Sequence, residues 1–123
     1  MKFHLERLEG RNRFTGHGPG YVEVNGERIT ASVVVGESLL HRQWGASTVG
    51  LLTAESLAPL VGHDPELVLL GTGAVFRFPP QAVFAPLAAA GIGVEVMDTP
   101  AACRTYNILL AEGRRVLAAV IVD

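Results

Sequence analysis

The sequence contains little cysteine and lysine, and neither sign of charge is in large excess. Cys103 is the single cysteine among 123 residues, which excludes an internal disulfide and a zinc site built from several cysteines of one chain. Ten basic residues meet twelve acidic ones, so the formal net charge is −2. Because nucleic-acid-binding proteins normally present a basic face, we expect no nucleic-acid partner.

Long apolar runs and metal-ligand patterns are also missing. The N-terminal stretch MKFHLERLEGRNRF is too charged for a signal peptide or a membrane span, so we expect a cytoplasmic protein that does not span a membrane. The histidines at positions 4, 17, 41 and 63 lack the spacing of zinc ligands. No Gly-x-Ser-x-Gly nucleophile elbow occurs. We therefore expect no bound metal, no cofactor and no catalytic residue.

What the sequence does contain is enough apolar surface for one folded unit. Hydrophobic residues make up 49% of the chain and charged residues 18%, a balance that argues against disorder. A chain of 123 residues fits one domain. We expect residues 1–123 to form it.

The first half of the chain is rich in β-favouring residues. Residues 21–24 (YVEV) predict a strand that ends at Asn25-Gly26, a pair suited to a type I′ hairpin because both positions need positive φ. Residues 29–35 predict a second, buried strand, and residues 38–44 a third that closes a meander.

The second half alternates between strands and helices. Residues 65–71, 92–97 and 115–123 predict strands, whereas residues 52–62, 79–91 and 98–113 predict helices. Such alternation favours right-handed crossovers and parallel pairing, so we expect strands 66–71 and 93–97 to be parallel neighbours. The predicted fold is a three-layer α/β domain, whose central mixed sheet carries helices and an extra antiparallel β layer from the N-terminal meander.

Prolines and capping residues set the expected ends of the helices. Thr53 caps the first helix, and Pro59 shortens it. Pro86 inside the second helical pattern predicts a kink or a late start. In the third, Thr99 is the expected N-cap and Pro100 the first helical residue.

The stretch LLGTGAVFRFPP at 69–80 raises the question of a phosphate-binding loop. A Walker loop needs a Lys-Ser/Thr pair after its last glycine, and Ala74 stands there instead. A dinucleotide fingerprint needs a third glycine that opens directly into a helix, and this sequence has none there. Gly71 and Gly73 are expected to serve backbone geometry, through close packing or positive φ. The loop nevertheless follows a strand, where open α/β sheets bind ligands.

Several polar residues are candidates to line a ligand site beside this loop. Asn107 is unusual within a helix because its amide competes with the backbone, and we expect it to bond the backbone of loop 71–73. Cys103 is either a small packed residue or a thiol activated near Arg104. The candidate ligand-binding residues are Gly71, Thr72, Gly73, Asp98, Thr99, Arg104 and Asn107.

Two longer stretches are more distinctive than any short motif: LLGTG at 69–73 and GIGVEVMDTPAACRTYNILLAEGRRVLAAVI at 91–121. They resemble the family known as domain of unknown function 498/598, which includes mitochondrial respiratory complex I assembly factor 3 and an adipogenesis-associated relative. The similarity covers most of the chain from residue 21 onward and is densest over 69–121. It implies an α/β domain with a central mixed sheet and an extra β layer, and no established enzyme activity.

Two functional hypotheses follow. In the first, the chain is a non-catalytic accessory or assembly factor with a protein partner, and it is able to form a homo-oligomer through an apolar patch. Glu6 and Glu9 interrupt any mitochondrial presequence, so a bacterial counterpart of the mitochondrial protein is implied. In the second, the chain is a small-ligand-binding protein or an enzyme that uses the cleft beside loop 71–73.

Overall fold

The computed structural model describes residues 10–123, which form a five-stranded sheet, a three-stranded sheet and three short to medium α-helices. The strands are β1 (Phe14–Gly18), β2 (Tyr21–Val24), β3 (Glu27–Ile29), β4 (Val33–Val35), β5 (Leu40–His41), β6 (Leu67–Gly71), β7 (Gly93–Met97) and β8 (Val116–Val120). The helices are α1 (Ala54–Leu57), α2 (Ala85–Ala89) and α3 (Thr99–Ala111). Short 3₁₀ helices cover Val49–Leu51, Ala58–His63 and Gln81–Phe84.

The central sheet has the strand order β5-β4-β8-β6-β7 and mixes both directions. β6 pairs in parallel with β7 on one side, with Leu67 opposite Gly93, and with β8 on the other. β4 pairs antiparallel with β8 and with β5. The expected parallel pairing of strands 66–71 and 93–97 is confirmed, and so is the expected mixed α/β fold.

The extra β layer is the antiparallel sheet β1-β2-β3. Its β2–β3 hairpin turns at Asn25 and Gly26, whose φ values are 54° and 82°. Val24 lies opposite Glu27 across this turn. The Asn-Gly pair therefore supplies the two positive φ angles that a type I′ turn needs, as the sequence predicts.

Residues 29–35 do not form the single strand expected from their composition. β3 ends at Ile29, and β4 begins at Val33 in the other sheet. At the crossing, the Ser32 hydroxyl accepts a hydrogen bond from the Val122 backbone N–H at 3.0 Å. Trp44 N–H donates to the Ser32 carbonyl at 3.0 Å. These long-range bonds fix where the chain changes sheets, and local composition does not encode them.

The meander is also shorter than expected. The third strand, predicted over 38–44, is limited to Leu40–His41. It pairs with β4 in the central sheet rather than continuing the β1-β2-β3 layer.

Alternating side chains divide the central sheet between two hydrophobic cores. On one face, Leu67 and Leu69 of β6 pack with α3 and the β layer. On the other face, Val68 and Leu70 pack with residues of α1, α2 and the 3₁₀ segments. Because both faces are covered, every residue of β6 and β8 is buried, as expected for strands at the centre of a three-layer structure.

The helix ends match the sequence in part. Thr53 is the N-cap of α1, and α2 begins late, at Ala85 beside Pro86, as predicted. For α3 the predicted N-cap was wrong. Asp98 is the cap, and its carboxylate accepts from Ala101 N–H at 2.8 Å, so Thr99 is the first helical residue and Pro100 the second. Both residue types cap well, and the Thr99 side chain is used elsewhere.

Two side chains of α3 that carry ionisable groups, Cys103 and Tyr106, are buried in the core. Tyr106 is buried, its hydroxyl donates to the Asn12 carbonyl at 2.8 Å, and its ring meets Phe14 edge-on with centroids 5.4 Å apart. Cys103 is 1% exposed. Burial raises the pKa of its thiol to about 12, despite the opposing charge of Arg104. The structure therefore supports the interpretation of Cys103 as a small residue packed in the core, and not as an activated thiol.

No helix within residues 10–123 has the length and apolar character needed to cross a bilayer.

We expect Cys103 to make folding less stable at alkaline pH. Because its pKa is raised in the folded protein, the unfolded chain loses the thiol proton first, and stability falls as pH rises from the unfolded pKa toward the folded one. The slope is up to about 1.4 kcal/mol per pH unit. Urea unfolding between pH 8 and roughly pH 10 measures it. Cys103→Ala should reduce the dependence of the unfolding free energy on pH. An unchanged dependence in this variant would contradict the raised pKa of Cys103.

Candidate functional site

The glycine loop (71–73) leaves β6 between the ends of its two neighbouring strands. Thr72 N–H donates to the Met97 carbonyl at the end of β7, at 2.9 Å. Ile121 N–H, just beyond β8, donates to the Gly71 carbonyl at 2.8 Å. The loop backbone is therefore bonded on both sides to the ends of the sheet.

Both loop glycines are required by their surroundings. A Cβ on Gly71 would lie 2.9 Å from the Thr99 hydroxyl oxygen and 3.0 Å from the Thr99 Cα. Gly73 has φ +102°, and a Cβ there would collide with the Asp123 carboxylate. Gly71 thus allows close packing and Gly73 allows a positive φ, which confirms the geometric role expected for both.

The Thr99 hydroxyl connects the loop to α3 and to the C-terminal segment. It accepts from Gly73 N–H at 2.9 Å and donates to the Ile121 carbonyl at 2.7 Å. Thr99 N–H also donates to the Gly73 carbonyl at 2.8 Å. Thr99 is buried, and its hydroxyl already donates its proton to the Ile121 carbonyl rather than to a ligand.

The Thr72 hydroxyl is also used inside the protein. Thr72 is 2% exposed. Its hydroxyl donates to the Val75 carbonyl at 2.8 Å and accepts from Arg77 N–H at 3.1 Å. These bonds shape the turn that follows the glycine loop, so this hydroxyl is directed into the turn.

The remaining candidates lie on α3 at increasing distance from the loop. Asp98 caps the helix beside Gly73. Arg104 is exposed, and its side chain makes no hydrogen bond or ion pair with another residue of the described chain. At a rise of about 1.5 Å per residue, Arg104 and Asn107 lie roughly 8 and 12 Å along the helix from Thr99.

Asn107 bonds backbone, but not that of the loop. Its amide oxygen accepts from Phe14 N–H at 3.0 Å, and its amide nitrogen donates to the Phe14 carbonyl at 2.7 Å. The expected bond to loop 71–73 was therefore wrong. Asn107 instead completes the hydrogen bonding of β1, because α3 lies alongside that edge strand, a neighbour that its position in the sequence does not reveal.

A cleft of about 370 Å³ lies beside the loop and contains residues that the sequence analysis did not select. Residues of the β1–β2 hairpin line it, among them His17 and Tyr21. Pro100 and Asp123 line it as well, and one Asp123 carboxylate oxygen accepts from Ala74 N–H at 3.1 Å. No local spacing connects these positions, and GHGPG at 16–20 indicates only a turn. In residues 10–123, no three His, Cys, Asp or Glu side chains come together as a metal site.

An apolar surface follows the loop. Val75, Phe76 and Phe78 are 59%, 47% and 72% exposed. The rings of Phe76 and Phe78 pack edge-on with centroids 4.9 Å apart. Exposed aromatic side chains grouped in this way are typical of interaction surfaces. The sequence signal was the unpatterned run AVFRF, which fits neither a strand nor a helix.

Next to this surface, a groove of about 940 Å³ runs between α2 and β7. We call it the β7 groove. It is lined by Phe78, Pro79, Gln81, Ala82, Phe84, Ala85, Ala88, Ile92, Val94 and Val96.

Replacing Gly71 with alanine should destabilise the fold, because the new Cβ would press on Thr99 backbone and side-chain atoms. Overpacking of this kind costs about 1–3 kcal/mol. Gly62→Ala is the matched control, since a Cβ there meets nothing within 4 Å. Urea unfolding of both variants tests this. Equal stabilities would show that the loop tolerates the methyl group.

Asn107→Ala should also destabilise the fold, because it leaves the Phe14 N–H and carbonyl without their side-chain partner. The expected loss is about 1–3 kcal/mol. The exposed Arg104→Ala on the same helix should stay within about 0.5 kcal/mol of wild type. Thermal and urea unfolding provide the comparison, and an Asn107 variant as stable as the Arg104 variant would contradict the role assigned to the amide.

Comparison with known proteins places the chain among proteins of the same fold. A crystal structure of a Bordetella parapertussis protein superposes with a TM-score of 0.86 at 40% sequence identity, covering 93% of this chain and 98% of that one. The 13 kDa major membrane protein of Francisella tularensis subsp. holarctica is 37% identical over 122 residues, covering 98% of this chain and 99% of that protein.

A eukaryotic relative matches over a shorter part of its length. The NADH dehydrogenase [ubiquinone] 1 alpha subcomplex assembly factor 3 of Danio rerio is 40% identical over 81 residues. The match covers 64% of this chain and 47% of that protein, so the chain spans about half of the assembly factor.

The profile of one protein family matches residues 14–121, which include the glycine loop, α3 and both sheets. The resemblance noted in the sequence is thereby confirmed. The chain belongs to the family described as protein of unknown function (DUF498/DUF598).

Proposed function

We propose that this chain is a bacterial, cytoplasmic accessory or assembly factor that acts through contacts with another protein and carries out no catalysis. The observation that carries the proposal is the contrast at the end of β6. There the buried threonine hydroxyls are consumed by internal hydrogen bonds, whereas the adjoining exposed surface is apolar and aromatic.

The side chains near the loop are poorly suited to catalysis. A catalytic group needs a reactive form and access to a substrate atom. Cys103 is buried, and its pKa of about 12 keeps the thiol protonated near neutral pH. Thr99 already donates its proton to the Ile121 carbonyl. Asp98 is engaged in capping α3.

The surface beyond the loop suits protein binding. Phe76 and Phe78 pack edge-on against each other and remain exposed. Aromatic side chains are enriched at the centres of protein interfaces because they bury much area at little cost in conformational entropy. The β7 groove extends the same apolar character beside them.

The relatives support an assembly role by analogy. Proteins named as NADH dehydrogenase assembly factor 3 are similar to this chain over about half of their length. A shared fold does not by itself carry function, so the exposed apolar surface remains the physical basis of the proposal. The names of these relatives suggest the class of partner, a subunit or assembly intermediate of a respiratory NADH dehydrogenase.

A second candidate function is the binding of a small ligand in the cleft beside the loop. Its volume of about 370 Å³ lies at the lower end of the usual range for ligand pockets. His17, Tyr21 and Asp123 supply polar side chains at its walls. Native mass spectrometry of protein purified from its own host would detect a ligand retained in this cleft.

Gene deletion and complementation in the source bacterium test the assembly role. Loss of the gene should reduce the amount of assembled NADH dehydrogenase on native gels, and wild-type protein should restore it. A variant carrying Phe76→Ser and Phe78→Ser should fail to restore it while keeping its fold, because both side chains are exposed.

Leu51→Ser is the matched control, since Leu51 is an exposed leucine outside the β7 groove lining and the glycine loop. It should complement as well as wild type. An unchanged level of assembled enzyme in the deletion strain would rule out the NADH dehydrogenase role. Full complementation by the double serine variant would show that Phe76 and Phe78 are not needed for the contact with the partner.

A further inference from the structure

The edge strand β7 has a free row of backbone groups. Gly93 N–H donates to the Glu66 carbonyl at 3.3 Å, and the Met97 carbonyl accepts from Thr72 N–H at 2.9 Å. In a parallel ladder alternate residues face the same neighbour, so residues 93, 95 and 97 bond toward β6. The N–H and carbonyl groups of Val94 and Val96 therefore point away from the sheet. Within residues 10–123, β7 pairs with β6 alone.

The side chains of the same two valines line the β7 groove. Val94 and Val96 pack against the second core, together with Phe84 and Ile92. The free backbone edge and the apolar groove thus lie next to each other. A strand added to β7 would place alternate side chains over this groove while its backbone bonded to Val94 and Val96.

β7 has few of the features that usually protect an edge strand. Natural edges are very short, or carry charged side chains, proline or a bulge, and Glu95 is the single charged residue of β7. The opposite edge of the central sheet, β5, has two residues. β7 has five residues in continuous register, without lysine or proline. It is the long, regular edge of the central sheet.

Charge favours a foreign segment over a second copy of this chain. Glu95 is exposed on the face of β7 opposite the groove, and it forms no ion pair with another residue of the described chain. Antiparallel pairing of two β7 strands centred on this position would set one Glu95 directly against the other. Like charges in that arrangement are destabilising, whereas a lysine or arginine opposite Glu95 would be favourable.

We propose that β7 binds an extended segment of a partner protein as a sixth strand of the central sheet. The segment has alternating apolar side chains that face the β7 groove and a basic residue opposite Glu95. This inference rests on the proposed protein-binding function and specifies the chemistry of the partner.

NMR with amide hydrogen exchange on the full chain tests this. The probe is a short peptide in which valine alternates with threonine, with lysine at the central polar position. It should shift the Val94 and Val96 amide resonances and slow their exchange several-fold. The same peptide with central glutamate should bind up to roughly fivefold more weakly.

Glu95→Lys should reverse the preference between the two peptides, and it is expected to fold because Glu95 is exposed. Glu112→Lys, at the exposed C-cap of α3, is the charge-matched control and should leave the preference unchanged. Unaltered Val94 and Val96 amides with both peptides would overturn the proposal.

Three other outcomes would also overturn it. Val94 and Val96 amides protected in the free monomer would mean that the chain covers its own edge. Protection that rises with protein concentration would mean a second copy. Shifts with anionic lipid vesicles but not with peptide would mean a membrane surface. If the peptides do not bind β7 but the complementation experiment succeeds, the proposed assembly role stands. The partner would then bind a surface other than β7.

Discussion

The buried hydroxyl of Thr99 joins three segments that would otherwise meet with unpaired backbone groups. Gly73 N–H donates to it from the end of β6, it donates to the Ile121 carbonyl beyond β8, and its own residue begins α3. Asp98 caps the helix and leaves Thr99 available for this bridge. The glycine at 71 is required because Thr99 lies so close to it.

This junction determines what the end of the sheet can do. In many α/β proteins the carboxyl ends of the strands hold a ligand because polar groups there remain free. Here the loop, the helix start and the C-terminal segment satisfy one another. What remains exposed is the run that follows, with Phe76 and Phe78 on the surface, and the open edge of β7 beside it. This part of the surface therefore offers a partner apolar side chains, free backbone groups of β7 and the exposed Glu95 carboxylate.

The sequence predicted most of the architecture because its periodicities are local. The alternation of strands and helices after residue 65 led to the parallel pairing of β6 with β7, and Asn25-Gly26 led to the hairpin. The division of residues 29–35 between two sheets depends on Ser32 bonding to Val122, a contact between residues 90 positions apart. Composition alone does not encode such a contact.

The site was predictable only in part for the same reason. Gly71, Gly73 and Thr99 were identified because strand, turn and helix signals coincide there. Asn107 was recognised as unusual within a helix, yet its partner is Phe14, which lies 93 positions away. His17 and Asp123 reach the cleft from opposite ends of the chain. The packing of β1 beside α3 brings such residues together, and no local pattern indicates it.

The most direct test of the account compares Thr99→Val with Thr99→Ser in urea unfolding. Valine keeps the shape of threonine but removes the hydroxyl that serves Gly73 and Ile121, whereas serine keeps the hydroxyl. We expect the valine variant to be less stable than the serine variant by about 1–3 kcal/mol, because buried backbone groups lose their partner. A valine variant as stable as the serine variant would contradict the claim that this hydroxyl holds the junction together.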